Sequence, residues 1–471
     1  MKKNNITSLN YKDFVSESGQ ILGNEQWRCL AYFAHREGGG LSFYCLFADN
    51  KGDTKILSHY RDYYDVGNLV SSDISQLFVY EREISELYGV RFEGHPWLKP
   101  VRFPFNRQNI HSRIENYPFY DTTNPALHLV NVGPVHAGVI EPCAFRFICN
   151  GEKILHLEIA LGYQHRGVEE LIKTTNNRLR QICLAESIAG DSAVAHAVAM
   201  ARLMNPATEQ PHYVIALEME RIAMHLADIG ALCMDVAYQL GQVACEALRT
   251  LVINTMQRWC GNRFGKGLIR AHGCHYPLTA ELCEDIRAVL GEVIRRFKSV
   301  SHNILSTPTL LARFEEICVT THQQAFQVGA VGMAARQAGL VRDGRMMNNA
   351  EFEPSIETSG DLMARLHLRI AEIEASYNII LTHLCPHVSE PPIYDFKLEP
   401  DSLLWGSVEG WRGEIVHVAL TDSDGEIAQY KIYDPSFHNW IMLALSVRGA
   451  QISDFPVSNK SFNLSYCGND L

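Results

Sequence analysis

Between Pro211 and Asp235 the sequence carries two stripes at helical spacing, side by side. Ile215, Met219, Ile222, Leu226, Ile229 and Cys233 recur at steps of four and three, the pattern of a core-facing helix. Glu218, Arg221, His225, Asp228 and Asp235 follow the same kind of spacing, with Leu232 in the remaining slot. At about 100° per residue, position 218 lies only about 60° around the axis from position 215. The charged row therefore borders the apolar row instead of opposing it. Two arrangements satisfy that pattern. One is a wet boundary of i,i+3 and i,i+4 salt bridges. The other is a semi-buried ionisable network whose members shift one another's pKa. Periodicity leaves both open.

Helical patterns extend on either side. Ala185 to Met204 reads as a helix stopped by Asn205-Pro206, and the next begins near Thr208 with Pro211 in its first turn. Further helical segments span Thr279 to Leu305, Thr321 to Ala338 and Ile356 to Leu384. Before them, Arg28 to His35 and Leu41 to Phe47 are strand-like, and a helix over Ile74 to Tyr88 is stopped by Gly89. Ala144 to Asn150 and Glu152 to Ile159 flank Asn150-Gly151, a type I′ hairpin signal. Near the end, Glu414 to Thr421 and Glu426 to Tyr433 flank Asp422-Ser423-Asp424-Gly425. There Ala428, Tyr430 and Ile432 alternate with Gln429 and Lys431, as in a half-buried strand. The polar, proline-containing stretch from Asn106 to Pro125 reads as a linker. The expected class is α+β: a small N-terminal α+β domain over 1–110, a linker over 111–125, and a mainly helical domain with hairpins over 126–471.

The 471 residues carry a net charge of −11, which disfavours nucleic acid as a partner. No run of apolar residues is long enough to span a bilayer, and Met1-Lys2-Lys3-Asn4-Asn5 begins no secretory signal. Of thirteen cysteines, the closest pair is Cys143 and Cys149. Without a Cys-x-x-Cys, zinc-ribbon, ferredoxin and thioredoxin readings fall together. Cys183, Cys233 and Cys245 lie in apolar surroundings and read as small buried hydrophobes.

Several strings resemble known families. Glu81-Arg82-Glu83-Ile84-Ser85-Glu86-Leu87-Tyr88-Gly89-Val90-Arg91-Phe92 resembles the signature of the thirty-kilodalton subunit of respiratory complex I. Gly133-Pro134-Val135-His136 and Tyr163-Gln164-His165-Arg166-Gly167-Val168-Glu169 resemble motifs shared by [NiFe]-hydrogenase large subunits and the quinone-site subunit of complex I. The strings Glu218-Met219-Glu220-Arg221-Ile222, Gly332-Met333-Ala334-Ala335-Arg336 and Val408-Glu409-Gly410-Trp411-Arg412-Gly413-Glu414 continue the match, as do Asp343 and Arg345. Both subunits in one polypeptide resemble the large subunits of formate hydrogenlyase-type membrane hydrogenases. The fold this implies is hydrogenase large-subunit-like.

The departures carry as much as the matches. Tyr433-Asp434-Pro435-Ser436-Phe437-His438-Asn439-Trp440 resembles the Asp-Pro-Cys-x-x-Cys closing motif of the hydrogenases, with Ser436 and Asn439 at the cysteine positions. Aligned on His196, Ala189 and Ser192 occupy the positions of the first cysteine pair. The soft thiolates a nickel–iron centre requires are absent, so that centre is expected to be missing. Against the complex I pattern, a quinone-contacting histidine is replaced by Ile140 and a tyrosine by Gly190. Asp235 aligns with the aspartate that partners the lost histidine.

The resemblance implies proton-relay or pocket roles for Glu169, His136, Asp235, His225 and Arg412. Glu169 corresponds to a hydrogenase proton gate, and Arg412 to a pocket-lining arginine whose plainer role is a bidentate clamp. No cofactor is expected on this chain, and the implied 4Fe-4S clusters belong to partner subunits. The implied partners are an iron–sulfur small subunit, a ferredoxin-like subunit and antiporter-like membrane subunits, with the chain peripheral on the cytoplasmic face of the membrane. The implied function is that of an oxidoreductase-complex subunit, NADH dehydrogenase- or hydrogenase-like, coupling electron transfer to proton or cation translocation without hydrogenase activity of its own. Two alternatives stand beside it: quinone reduction in a remodelled cavity, and a purely structural subunit. The tail from Phe462 to Leu471, trimmed in hydrogenases after metal insertion, is expected to be retained.

Overall fold

The computed structural model describes residues 1–62, 68–136, 140–206, 210–347, 351–388 and 390–471. The N-terminal unit holds β1 (Thr7–Ser8), α1 (Tyr11–Leu22), β2 (Trp27–Glu37), β3 (Gly40–Asp49) and β4 (Thr54–Asp62). These strands form one sheet in the order β1-β4-β3-β2, antiparallel except for the β1–β4 pair. β5 (Asn68–Val70) pairs in parallel with β6 (Arg91–Glu93), and α2 (Phe78–Tyr88) lies between them in sequence. Gly89 ends α2 at φ 74°, the left-handed cap that glycine adopts without a Cβ penalty.

The larger unit opens with an antiparallel sheet of β7 (His128–Val132), β8 (Ala144–Asn150) and β9 (Lys153–Ala160). Its hairpin turn falls one residue later than the sequence suggests. Asn150 pairs with Lys153, which leaves Gly151 (φ 59°) and Glu152 as the turn, and a bulge beside Cys149 absorbs the shift. Helices α3 (Val168–Thr174), α4 (Arg178–Ala185), α5 (Ala193–Met204), α6 (Pro211–Asp235), α7 (Gln239–Cys260) and α8 (Ala280–Leu305) follow. After them come the short α9 (Pro308–Leu311), α10 (His322–Gln327) and α11 (Met333–Arg336), then the long α12 (Leu362–His383). β10 (Leu403–Glu409), β11 (Glu414–Thr421) and β12 (Ile427–Tyr433) form an antiparallel sheet, and α13 (Pro435–Ser446), α14 (Phe455–Phe462) and α15 (Tyr466–Asp470) close the chain. Between β6 and β7 the chain forms only a short 3-10 turn at Ile114–Asn116.

Several boundaries differ from expectation for local reasons. The expected helix 185–204 is interrupted: α4 ends at Ala185 and α5 starts at Ala193. Gly190-Asp191-Ser192 favours a turn there, and the Glu220 carboxylate accepts the Val194 and Ala195 amides at 2.8 and 3.2 Å, starting a new helix. The expected start near Thr208 lies outside the described residues, while Pro211 occupies the first turn of α6. The expected helix 321–338 is split into α10 and α11 by Gly329 and Gly332, both at positive φ. Lys431 is 1% exposed, so β12 is not the half-buried strand its alternation suggests. Cys183 is exposed, whereas Cys233 and Cys245 are buried as expected.

Candidate functional site

The ionisable row of α6 is buried. Glu218, Arg221, His225 and Asp228 all lie inside the molecule, facing α12 and the loop after α11. Glu372 of α12 is the hub. It meets Arg336 at 2.5 Å, Arg345 at 3.1 Å, Arg221 at 3.6 Å and His225 Nε2 at 2.6 Å. Asp343 bridges Arg336 and Arg345 at 2.8 and 2.6 Å. Glu218 pairs with Arg221 at 2.9 Å, and Asp228 with Arg369 at 2.8 Å. Burial alone would raise the Glu372 carboxyl, yet the arginines and His225 hold it well below the ordinary range. Burial pushes His225 down despite Glu372, so its neutral ring donates Nε2–H to that carboxylate.

Two carboxyls nearby go the other way. Burial, then Asp343, pushes Glu409 up to about 8. Burial likewise pushes Glu220 up to about 8, against the two helix amides it accepts. The network thus contains balanced ion pairs with protonated carboxyls at its margin.

The four positions aligned with metal ligands gather at the junction of α5, α13 and the β10–β11 turn. Ala189, Ser192, Ser436 and Asn439 are all buried. Ser192 Oγ accepts from Arg412 at 3.3 Å, and Ser436 Oγ accepts the Ser465 amide at 2.8 Å. Asn439 clamps the Val331 backbone, accepting its N–H at 3.2 Å and donating to its carbonyl at 3.1 Å. A methyl, two hydroxyls and a carboxamide, the polar ones already engaged, do not fit a soft nickel–iron centre. Among the described residues, no group of three or more His, Cys, Asp or Glu is placed to hold a metal.

Arg412 forms the clamp its plainer role requires: it grips Asp191 with both arms at 2.8 and 2.6 Å and stacks 3.9 Å over the Trp411 ring. Glu169 is held by Lys431 at 2.8 Å and by the Ile432 amide at 2.8 Å. Lys431 also meets Glu83 of α2 at 2.7 Å, and Arg102 lies 3.6 Å from Glu169. His136 stands apart, half-buried after β7, donating Nε2–H to the Cys143 carbonyl at 2.9 Å. Asp235 is exposed at the last turn of α6, and no hydrogen bond or ion pair joins it to the network among the described residues. The structure therefore brings His225 into the network, ties Glu169 and Arg412 into separate clusters, and leaves His136 and Asp235 outside.

Sequence reasoning missed Glu372, Lys431, His417 and Asp434 as functional candidates. Glu372 sits on a helix read only for its length. Lys431 looks like the solvent face of a strand. The pairing of His417 with His196 joins residues 221 positions apart, which no local pattern reveals.

Residues 235–394 match the family model described as respiratory-chain NADH dehydrogenase, 49 Kd subunit, and residues 70–115 match that of the 30 Kd subunit. The chain is 26% identical to the membrane-bound hydrogenase subunit alpha of Pyrococcus furiosus, over 70% of this chain and 84% of that one. It is 24% identical to hydrogenase-4 component G of Escherichia coli, over 83% of this chain and 73% of that one. It is 25% identical to a subunit of the NADH-quinone oxidoreductase of Bacteroides fragilis, over 79% of each. Its fold matches a chain of the membrane-bound sulfane sulfur reductase, an archaeal respiratory membrane complex, at TM-score 0.66 and 19% identity, over 74% of this chain and 100% of that one. Fold and matches together define a subunit of the complex-I/hydrogenase type. More particularly, this chain is the fused form, with the 30 Kd and 49 Kd elements in one polypeptide.

Proposed function

We propose that this chain is the metal-free large subunit of a membrane-associated complex-I-like oxidoreductase. It passes redox events at an adjacent iron–sulfur subunit into proton or cation movement in the membrane. The observation that carries this reading is a contrast within one fold. All four soft-ligand positions are replaced and the three polar ones are engaged elsewhere, while the ionisable network beside them is buried and intact.

A unit charge arriving about 10 Å away, at an effective dielectric near 20, is worth roughly 1.7 kcal/mol, enough to move a pKa by more than one unit. Glu409 and Glu220, both pushed up to about 8, titrate where such a shift changes protonation at neutral pH. His225 works inside the network, Glu169 as gate and Arg412 as clamp act from clusters of their own, and His136 and Asp235 are outlying candidates. The N-terminal domain spans 1–110, the linker 111–125 and the hydrogenase-like domain 126–471. The partners are an iron–sulfur small subunit, a ferredoxin-like subunit and antiporter-like membrane subunits, with this chain on the cytoplasmic face. Among the described residues no helix is long and apolar enough to cross a membrane, so attachment runs through those partners.

Elemental analysis of the intact complex tests the metal-free half: iron from partner clusters is expected, with nickel far below one per complex. Glu169→Gln tests the coupling half. Cation transport driven by electron flow is expected to fall at least tenfold, and unchanged transport would sink the coupling.

A further inference from the structure

Behind the replaced ligand positions runs a line of hydrogen bonds that starts from Asp434 and His196 of the motif strings and continues through His417 and Tyr430, which lie outside them. Asp434 Oδ2 lies 3.3 Å from His196 Nε2. His196 Nδ1 lies 3.0 Å from His417 Nε2. His417 Nδ1 lies 2.7 Å from Tyr430 Oη. All four side chains are buried. Tyr430 forms part of the wall of a 260 Å³ cleft between the N-terminal unit and the helical unit, which Glu169 and His165 also line.

The directions of these bonds are constrained. Burial, reinforced by neighbouring His196, holds His417 well below its ordinary value, so its ring is neutral. Asp434 is held ionised: burial opposes its charge, but the hydrogen bond from His196, the Arg412 charge and the Ser436 side chain outweigh it. A carboxylate only accepts, and a neutral imidazole offers one donor and one acceptor. In the neutral chain His196 therefore donates Nε2–H to Asp434 and accepts at Nδ1 from His417 Nε2–H. His417 Nδ1 then accepts from the Tyr430 hydroxyl. One charge, on Asp434, orients every bond in the line.

The geometry points to a proton relay that joins the cleft to Asp434 through Tyr430, His417 and His196. It rests on the proton-coupled reading above and names the path that reading lacks. In the forward step Tyr430 takes a proton from hydronium or a buffer acid in the cleft and passes its own to His417 Nδ1. His417 passes its Nε2 proton to His196 Nδ1, and His196 passes its Nε2 proton to Asp434. Each O–H or N–H bond broken is matched by one formed, and no electron moves. Every relay member ends neutral, with the donors reversed, and the same line returns the proton when Asp434 releases it.

The test uses the intact complex with 15N-labelled histidine. Solvent deuterium exchange at the His196 and His417 ring protons is followed by magnetic resonance. Tyr430→Phe keeps the ring and removes the hydroxyl. It is expected to slow exchange at both rings at least tenfold, and His417→Gln to slow it at His196. In His417→Gly, added imidazole is expected to restore exchange at His196. Wild-type exchange rates in both Tyr430→Phe and His417→Gln would overturn the relay. Electron-driven cation transport is measured on the same samples. If wild-type complex shows none, the coupling reading fails, while the exchange data still decide the relay.

Discussion

Lys431 is the side chain the sequence most misrepresents. Its alternation with apolar neighbours places it on a wet strand face, yet it lies between Glu83 and Glu169 at 2.7 and 2.8 Å, 1% exposed. Replacing it with methionine fills the volume but leaves two carboxylates with Arg102 as their remaining cation. Removing one partner of a buried pair costs about 3 kcal/mol or more. Lys431→Met is expected to destabilise by about 3 kcal/mol in urea unfolding, and a loss within experimental error would contradict the burial. The raised carboxyls give a pH signature of the opposite sign to ordinary acid denaturation. Glu220 and Glu409 have folded values of about 8, above the usual unfolded carboxyl. The folded state therefore binds more protons between the two values, and stability is lost as pH rises through about 8. Glu220→Gln and Glu409→Gln cannot ionise. Each is expected to show a smaller fall in melting temperature between pH 6 and pH 9 than the parent, which parallel melts at both pH values check.

At the level of elements, the glycine motifs turn out to face each other. A Cβ on Gly332 would lie 2.2 Å from the Gly413 Cα and 2.4 Å from the Arg412 carbonyl, and Gly332 has φ 61°. The start of α11 and the β10–β11 turn pack backbone to backbone, which sets Arg412 beside Asp191. Gly332→Ala combines left-handed strain with a backbone clash, together worth about 3 kcal/mol. It is expected to lower stability by that order and to weaken the Arg412–Asp191 clamp, with circular dichroism melts reporting the first. Legibility follows from how local each signal is. The α6 stripes, the α2 cap at Gly89 and the start of α8 near Thr279 were readable because each depends on neighbours within one or two turns. The split of 185–204 was not, because the Glu220 carboxylate that starts α5 arrives from another helix. Helix α7 was passed over because its apolar positions, such as Cys245, Leu248, Val252 and Met256, are diluted by Gln239, Gln242 and Thr250.

Over the whole molecule, the sequence supports a linker and two units, and the packing shows how they share a core. The apolar core of the N-terminal sheet includes Leu403, Val416, Val418, Leu420, Tyr433 and Phe437 from β10, β11, β12 and α13. Polar bonds cross the same boundary: Arg28 pairs with Glu414, Arg102 donates to the Ile432 carbonyl at 3.1 Å, and Tyr433 donates to the Tyr32 carbonyl at 3.1 Å. None of this could be read from a chain in which these partners lie more than three hundred residues apart. It also gives the fusion a physical consequence. Separating the units would expose one face of the β10–β12 sheet and strand Glu414, Lys431 and Arg28 as buried charges without partners, costs that rise together. The two units are therefore expected to unfold as one. Calorimetry of the intact chain should show a single transition, with the fluorescence of Trp27 in the N-terminal unit and of Trp411 in the helical unit changing at the same temperature. Single-tryptophan variants keep the two signals apart. Two resolved transitions, with Trp27 melting first while Trp411 stays native, would show that the shared core contributes little and that the units are joined by the linker alone.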